Sequence, residues 1–210
     1  MALDSYHHLD TGPQSGDRDT APLFFTFHGT GGDERQFVDL AQTLAPDARI
    51  VSPRGDVSEF GALRFFRRSG EGIYDMDDLA KRTAAMAAFM AAQKATTQPS
   101  GTIGLGYSNG ANILASVLLE APEIVDTAVL MHPLIPWAPA PQPGLAGRRV
   151  LITAGRHDPI CPPEWTVEFA DYLTDQGAQV TLDWHDGGHE IRQEEIASVQ
   201  AFLNTEKRAA

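Results

Sequence analysis

The sequence predicts an α/β fold, a mostly parallel central sheet covered by helices on both faces. Three observations lead there. Apolar segments of strand length alternate with helix-period segments along the chain. The 210 residues, 42 % hydrophobic and 21 % charged, suit one soluble globular domain spanning 1–210. A lone cysteine, Cys161, excludes an internal disulfide, so the core must hold without staples.

The elements follow in order. Residues 1–21 read as a loose N-terminal arm, because "DTGPQSGDRDTAP" is rich in Gly, Pro, Ser and Asp. "LFFTFH" at 23–28 is the first strong strand. Phe37, Leu40, Ala41 and Leu44 fall at helical spacing behind Asp33, an N-cap with Gln36 at N3, and the segment stops at Pro46. "ARIVSP" at 48–53 is a short strand ended by proline. From Asp75 to about Lys94, Met76, Leu79, Ala80, Thr83, Ala87 and Met90 mark an amphipathic helix. Thr102, Ile103 and Leu105 suit a buried strand running into Ser108, and Ile113, Leu114, Val117, Leu118 and Leu119 continue as a helix. "DTAVLMH" at 126–132 and "RRVLITAG" at 148–155 are strands flanking a Pro-rich rim loop at 132–144. A helix from near Pro163 to Gly177, a strand "QVTLDWH" at 179–185 and a C-terminal helix bearing Ile196, Val199, Phe202 and Leu203 complete the chain. Parallel order places functional loops at the carboxyl ends of the strands.

The net charge of −12 opposes phosphate backbones and anionic lipid surfaces, so neither nucleic acid nor membrane is an expected partner. No apolar run reaches the ~18 residues of a membrane span, and the polar start lacks signal-peptide features. A cytoplasmic location is expected; a homodimer is left open.

Gly106-Tyr107-Ser108-Asn109-Gly110 matches G-x-S-x-G at a strand-to-helix junction. Glycines permit the tight turn that lifts the serine hydroxyl above the sheet edge, and the helix N-terminus directs N–H groups at an oxyanion. A Gly-rich turn with a capping serine explains the bare pentapeptide as well. A dinucleotide loop fits poorly, because Asn109 stands where G-x-G-x-x-G needs its third glycine, and "HGTGGDE" at 28–34 lacks the lysine and spacing of a Walker A loop.

A nucleophilic serine needs a base and an acid that orients it, in the order Ser, Asp or Glu, His. Asp158 lies just past the strand ending near Gly155, and His189 just past that ending near His185, at the same sheet edge as Ser108. Asp158 as a helix cap, His185 or His157 as base, and Asp186 or Asp183 as acid stay open alternatives. "HGTGG" at 28–32 follows the first strong strand, where the N–H of Thr30 can pair with that of Asn109 as a two-donor oxyanion hole; His28 reads as a hydrogen-bonding residue of this loop. His7 and His8 have no companion ligands at metal spacing, so no metal is expected.

"HGTGGDE", "RFFRR" with "EGIYDMDDL", "GYSNGAN", "AGRHDPICP" and "GGHE" together resemble the phospholipase/carboxylesterase family of α/β-hydrolases, from about Pro22 to Phe202, and within it the small bacterial hydroquinone-resistance-type hydrolases. The resemblance implies an α/β-hydrolase fold without a cap domain and a serine carboxylesterase acting on small short-chain or aryl esters, with no cofactor. It implies an acyl-enzyme on Ser108, His189 as base then acid, Asp158 orienting it, and Thr30 and Asn109 donating backbone N–H groups. A thioesterase or lysophospholipase of the same family is the alternative; a non-catalytic binding protein on the fold is the rival from another class. Asn109 stands where the thioesterase branch typically has Gln, which weighs against long acyl-protein substrates.

Phe65, Phe66, Trp137 and Ile160 are candidates to line a small apolar substrate pocket, although aromatics are as often simple core. Arg64, Arg67 and Arg68 either grip a carboxylate-bearing substrate or pair with Glu71, Asp75, Asp77 or Asp78. Cys161 is off the elbow and reads as a small packed residue.

Overall fold

The structure is a computed structural model and describes residues 2–205. In chain order the elements are β1 (His8–Thr11), β2 (Leu23–Phe27), α1 (Val38–Leu44), β3 (Arg49–Pro53), β4 (Val57–Glu59), β5 (Ala62–Arg64), β6 (Arg68–Gly70), β7 (Ile73–Tyr74), α2 (Met76–Lys94), β8 (Thr102–Tyr107), α3 (Asn109–Glu120), β9 (Thr127–Met131), β10 (Arg149–Gly155), α4 (Pro163–Asp175), β11 (Gln179–His185) and α5 (Gln193–Asn204). Seven strands form one sheet in the order β1-β3-β2-β8-β9-β10-β11. All its pairings are parallel except that of β1 with β3.

Side-chain alternation explains why both faces need helices. Along β2, Leu23, Phe25 and Phe27 join a core with α2, α3 and α4, while Phe24 joins a second core with α1 and α5. The same division separates Ala128 and Leu130 from Val129 and Met131 on β9, and Val150 and Ile152 from Leu151 on β10. Strands apolar on both faces are what a helix-sandwiched parallel sheet requires.

Three expectations change. Residues 1–21 are not simply a loose arm: β1 runs antiparallel to β3, from His8↔Pro53 to Thr11↔Ile50, and Tyr6 is buried edge-on against Phe89. Arg49 fastens this edge, donating to Asp10 at 2.8 and 3.1 Å and to the side-chain oxygen of Gln93 on α2 at 2.7 Å. The first helix starts at Val38 rather than behind Asp33, because Gln36 turns its Oε1 to the Gly29 N–H at 2.9 Å instead of closing a capping box. Residues 57–74, which read as a loop between the Arg54 region and the Asp75 helix, form two small antiparallel hairpins, β4–β5 and β6–β7. Among the described residues no helix is long and apolar enough to cross a membrane.

Candidate active site

The turn between β8 and α3 is possible only with its glycines. A Cβ on Gly106 would lie 2.5 Å from the carbonyl oxygen of Gly110, and one on Gly110 would lie 2.3 Å from that of Phe27. Ser108 between them adopts φ 53° and ψ −118°, a conformation that L residues rarely adopt and that a packed frame must impose. Its N–H donates to the Met131 carbonyl at 2.9 Å, which fixes the elbow to β9.

His189 meets this serine. Its Nδ1 lies 2.7 Å from Asp158 Oδ2 and its Nε2 lies 2.9 Å from Ser108 Oγ. A carboxylate only accepts, so Nδ1 carries the proton and Nε2 is free to accept from the hydroxyl. Tyr107 steadies the loop: its hydroxyl donates to the His189 carbonyl at 2.6 Å, and the two rings stand 5.5 Å apart. Burial pushes that hydroxyl up to about 12, so it stays a donor.

Asp158 sits in a site that only an anion fills well. Oδ1 accepts from the amides of Ile160 and Cys161 at 2.8 and 3.0 Å; Oδ2 accepts from His189 and, at 2.9 Å, from His132 Nδ1. Burial opposes ionisation, but the bonds from His132, His189 and the two amides outweigh it and hold the carboxyl well below the usual range.

The alternatives are elsewhere. His185 is buried with Nδ1 accepting from the Gly187 amide at 3.0 Å and Nε2 facing Glu195; His157 is exposed. Asp183 accepts from Ser198, and Asp186 faces solvent beside Arg156. Asp158 caps its own loop and not α4.

On the other side of the elbow, the loop after β2 is held by His28. Its Nε2 accepts from the Gly55 N–H at 2.9 Å, so Nδ1–H donates to the Gly29 carbonyl at 2.7 Å; burial lowers its affinity for a second proton. This sets Thr30 on an exposed turn, its hydroxyl accepting from Arg64 Nη1 at 2.7 Å. The Asn109 N–H belongs to the first turn of α3, whose donors have no intrahelical acceptor. The Asn109 side chain accepts from the Phe65 N–H at 2.8 Å and so ties residues 64–66 to the elbow.

The substrate-lining candidates divide. Phe65 and Phe66 are 1 % and 0 % exposed and belong to the core, so as side chains they present no surface to a ligand. Trp137 packs 6.2 Å from Tyr74 and lines grooves whose other walls come from α2, α3 and α4, none containing Ser108, Asp158 or His189. Ile160 is half-buried two residues after Asp158. A hydrogen-bonded triangle absent from the sequence reading joins α3 to Tyr74 and the loop after β9: Asn112 Nδ2 donates to the Tyr74 hydroxyl, which donates to the Leu134 carbonyl, while the Leu134 N–H donates to Asn112 Oδ1.

Each of the three arginines has a carboxylate partner. Arg64 faces Glu59 at 3.4 Å, Arg67 faces Asp75 at 3.0 Å, and Arg68 faces Glu59 at 3.1 Å as well as Glu71. Cys161 is buried, donates to the His132 carbonyl and has its thiol pushed up by burial, which fits a packed residue. Two trios, His132–His185–Glu195 and His132–Asp158–His189, gather ligand atoms within 4.8 Å of one another. The nitrogen–carboxylate separations among them, 2.7 to 3.2 Å, are those of hydrogen bonds from N–H donors to carboxylate acceptors.

Comparison with known proteins agrees with this architecture. A family model described as TAP-like protein matches residues 133–208. MhqD of Bacillus subtilis (strain 168), assigned by name to the hydrolases, is 41 % identical over 182 residues, 86 % of this chain and 91 % of that protein. The structure of Atu2452 from Agrobacterium tumefaciens str. C58, described as of unknown function, superposes with a TM-score of 0.90 at 53 % identity, covering 98 % of both chains. That of the Bacillus cereus carboxylesterase does so with 0.87 at 34 % identity, covering 96 % of this chain and 95 % of the other.

Proposed function

The chain belongs to the α/β-hydrolases, in the group that includes MhqD and the Bacillus cereus carboxylesterase, and from that membership we propose that it hydrolyses small carboxylic esters through an acyl-enzyme on Ser108. A hydrolase is the common ground of these two relatives, and the second is a carboxylesterase; the serine mechanism and the ester class are our reading. The observation that carries it is the Ser108 hydroxyl 2.9 Å from His189 Nε2 on a positive-φ elbow.

In this reading Ser108 Oγ attacks the ester carbonyl carbon while Nε2 takes its proton. The carbonyl electrons move to oxygen, where the N–H groups of Thr30 and Asn109 receive the charge. As the carbonyl re-forms, the carbon–oxygen bond to the alcohol breaks and the Nε2 proton passes to the leaving oxygen. Water, activated by the same nitrogen, then releases the acid and restores Ser108. Asp158 keeps the ring oriented and balances its charge when both nitrogens are protonated.

Ser108→Ala should remain folded and lose turnover by about 10⁶-fold. Intact mass after fluorophosphonate treatment should show one adduct on the wild type and none on the variant, and p-nitrophenyl esters from acetate to palmitate should be cleaved ever more slowly as chains lengthen. Rates that rise towards palmitate would favour a thioesterase or lysophospholipase, and an unmodified wild type would favour a binding role.

A further inference from the structure

The hydrogen-bond chain does not stop at Asp158. His132, the residue after β9, is 0 % exposed and places each ring nitrogen against a carboxylate: Nδ1 is 2.9 Å from Asp158 Oδ2 and Nε2 is 3.2 Å from Glu195 Oε1 on α5. Neither carboxylate has capacity to spare. Oε1 of Glu195 also accepts from the Thr153 hydroxyl at 2.7 Å, and Oε2 faces the Arg192 N–H at 2.8 Å and His185 Nε2 at 3.2 Å. Asp158 likewise takes four donors, about what two carboxylate oxygens can accept.

A neutral imidazole has one N–H and one lone pair, so between two ionised carboxylates one contact would set lone pair against lone pair. His185 Nε2–H lies 3.3 Å from His132 Nε2 and 3.2 Å from Glu195 Oε2, and its proton goes to the charged acceptor, so only the doubly protonated His132 ring satisfies both carboxylates. The backbone holds the ring in place: His132 has φ 51°, and such a conformation in a non-glycine residue persists where the surroundings impose it. Its N–H donates to the Thr153 carbonyl at 2.8 Å and its carbonyl accepts from Cys161 Sγ, so both ends are fastened.

We propose that His132 is a positioning residue of the reaction, a buried imidazolium that locks the Asp158 carboxylate in the orientation His189 needs and offsets its charge, with Glu195, itself held by His185, as its anchor. This rests on the serine-hydrolase reading for its role, though not for its protonation state. Burial opposes the proton on His132, but hydrogen bonds to Asp158 and Glu195 override it and lift the imidazole to about 9. The other groups near the ring are His185, His189 and Tyr107, with no further acid or base among the described residues bonded to it. With His132 charged, the cluster of two carboxylates and one imidazolium carries one net negative charge before reaction. It becomes neutral when His189 takes the serine proton.

Imidazole nitrogen NMR of ¹⁵N-histidine-labelled wild type at pH 8 should give one histidine with both nitrogens protonated, assigned by its loss in His132→Asn, a residue type that tolerates positive φ. No imidazolium signal at pH 8 would overturn the proposal. Kinetics supply a second reading. His132→Asn makes the cluster one charge more negative and favours an added proton, so the acid limb of kcat/KM should move up by about one pH unit. Its kcat should fall about 10–100-fold with KM little changed. Glu195→Gln, which keeps the side-chain shape, makes the cluster one charge less negative and should move the limb down, the opposite direction. Lower stability with an unmoved limb in both variants would mean a purely structural histidine and would also overturn the proposal. Failure of the fluorophosphonate to label Ser108 while the imidazolium persists would instead count against the hydrolase reading.

Discussion

At the scale of the residue, the elbow illustrates how little freedom the site leaves. Gly101→Ala should be close to neutral, because a Cβ there meets nothing within 4 Å, whereas Gly110→Ala should cost about 3 kcal/mol or fail to fold, because its methyl would overlap the Phe27 carbonyl. Thermal melts of the two variants test this; equal melting temperatures would contradict the close packing of α3 against β2. The same scale shows what one sequence can reveal of a site. Ser108, Asp158 and His189 are readable because each follows a recognisable strand and their order is chemically constrained. His132 is hidden because it closes the apolar run "DTAVLMH" and reads as the last residue of a strand. Its one available signal is position: a histidine leaving a parallel strand at the sheet edge that carries Ser108. Phe65 and Phe66 mislead for the opposite reason, since the loop that carries them crosses the site while their rings turn into the core.

At the scale of the element, periodicity decided legibility. The strand "QVTLDWH" at 179–185 and the long helix α2 coincide with their expected spans, because each keeps one period over its full length. β1 has four residues, three of them polar or charged, and the strands of the two hairpins have two or three; neither length carries a period. These elements depend on tertiary partners instead. Arg49 is the partner that matters for β1, a buried guanidinium shared between Asp10, Gln93 and Thr96. Arg49→Met should cost about 2–3 kcal/mol, below the cost of breaking a fully buried pair because Asp10 can rehydrate. Hydrogen exchange should speed up at residues 8–11 before the rest of the sheet; unchanged protection there would show that the strand pairing suffices alone.

At the scale of the whole molecule, two buried ionisations pull stability in opposite directions along the pH axis. Arg54 holds the Glu34 carboxyl down at about 2 against an ordinary 4.5, so its contribution is complete above pH 4.5 and is lost as pH falls towards 2. His132, raised from 6.5 to about 9, contributes fully below pH 6.5 and less as pH rises through 9. Calorimetry should therefore give a melting temperature highest between pH 4.5 and 6.5, with the alkaline decline reduced in His132→Asn. A wild type that gains stability from pH 7 to 9 would contradict the buried cation. The placement of Glu195 also bears on synthesis. A chain leaving the ribosome exposes Ser108 midway, then His132, Asp158 and His189, yet the carboxylate that steadies the cluster from behind arrives only with α5. Nascent or prematurely terminated molecules thus carry Ser108 without its finished surroundings, and under the proposed serine mechanism hydrolytic competence should appear only once the last helix has docked.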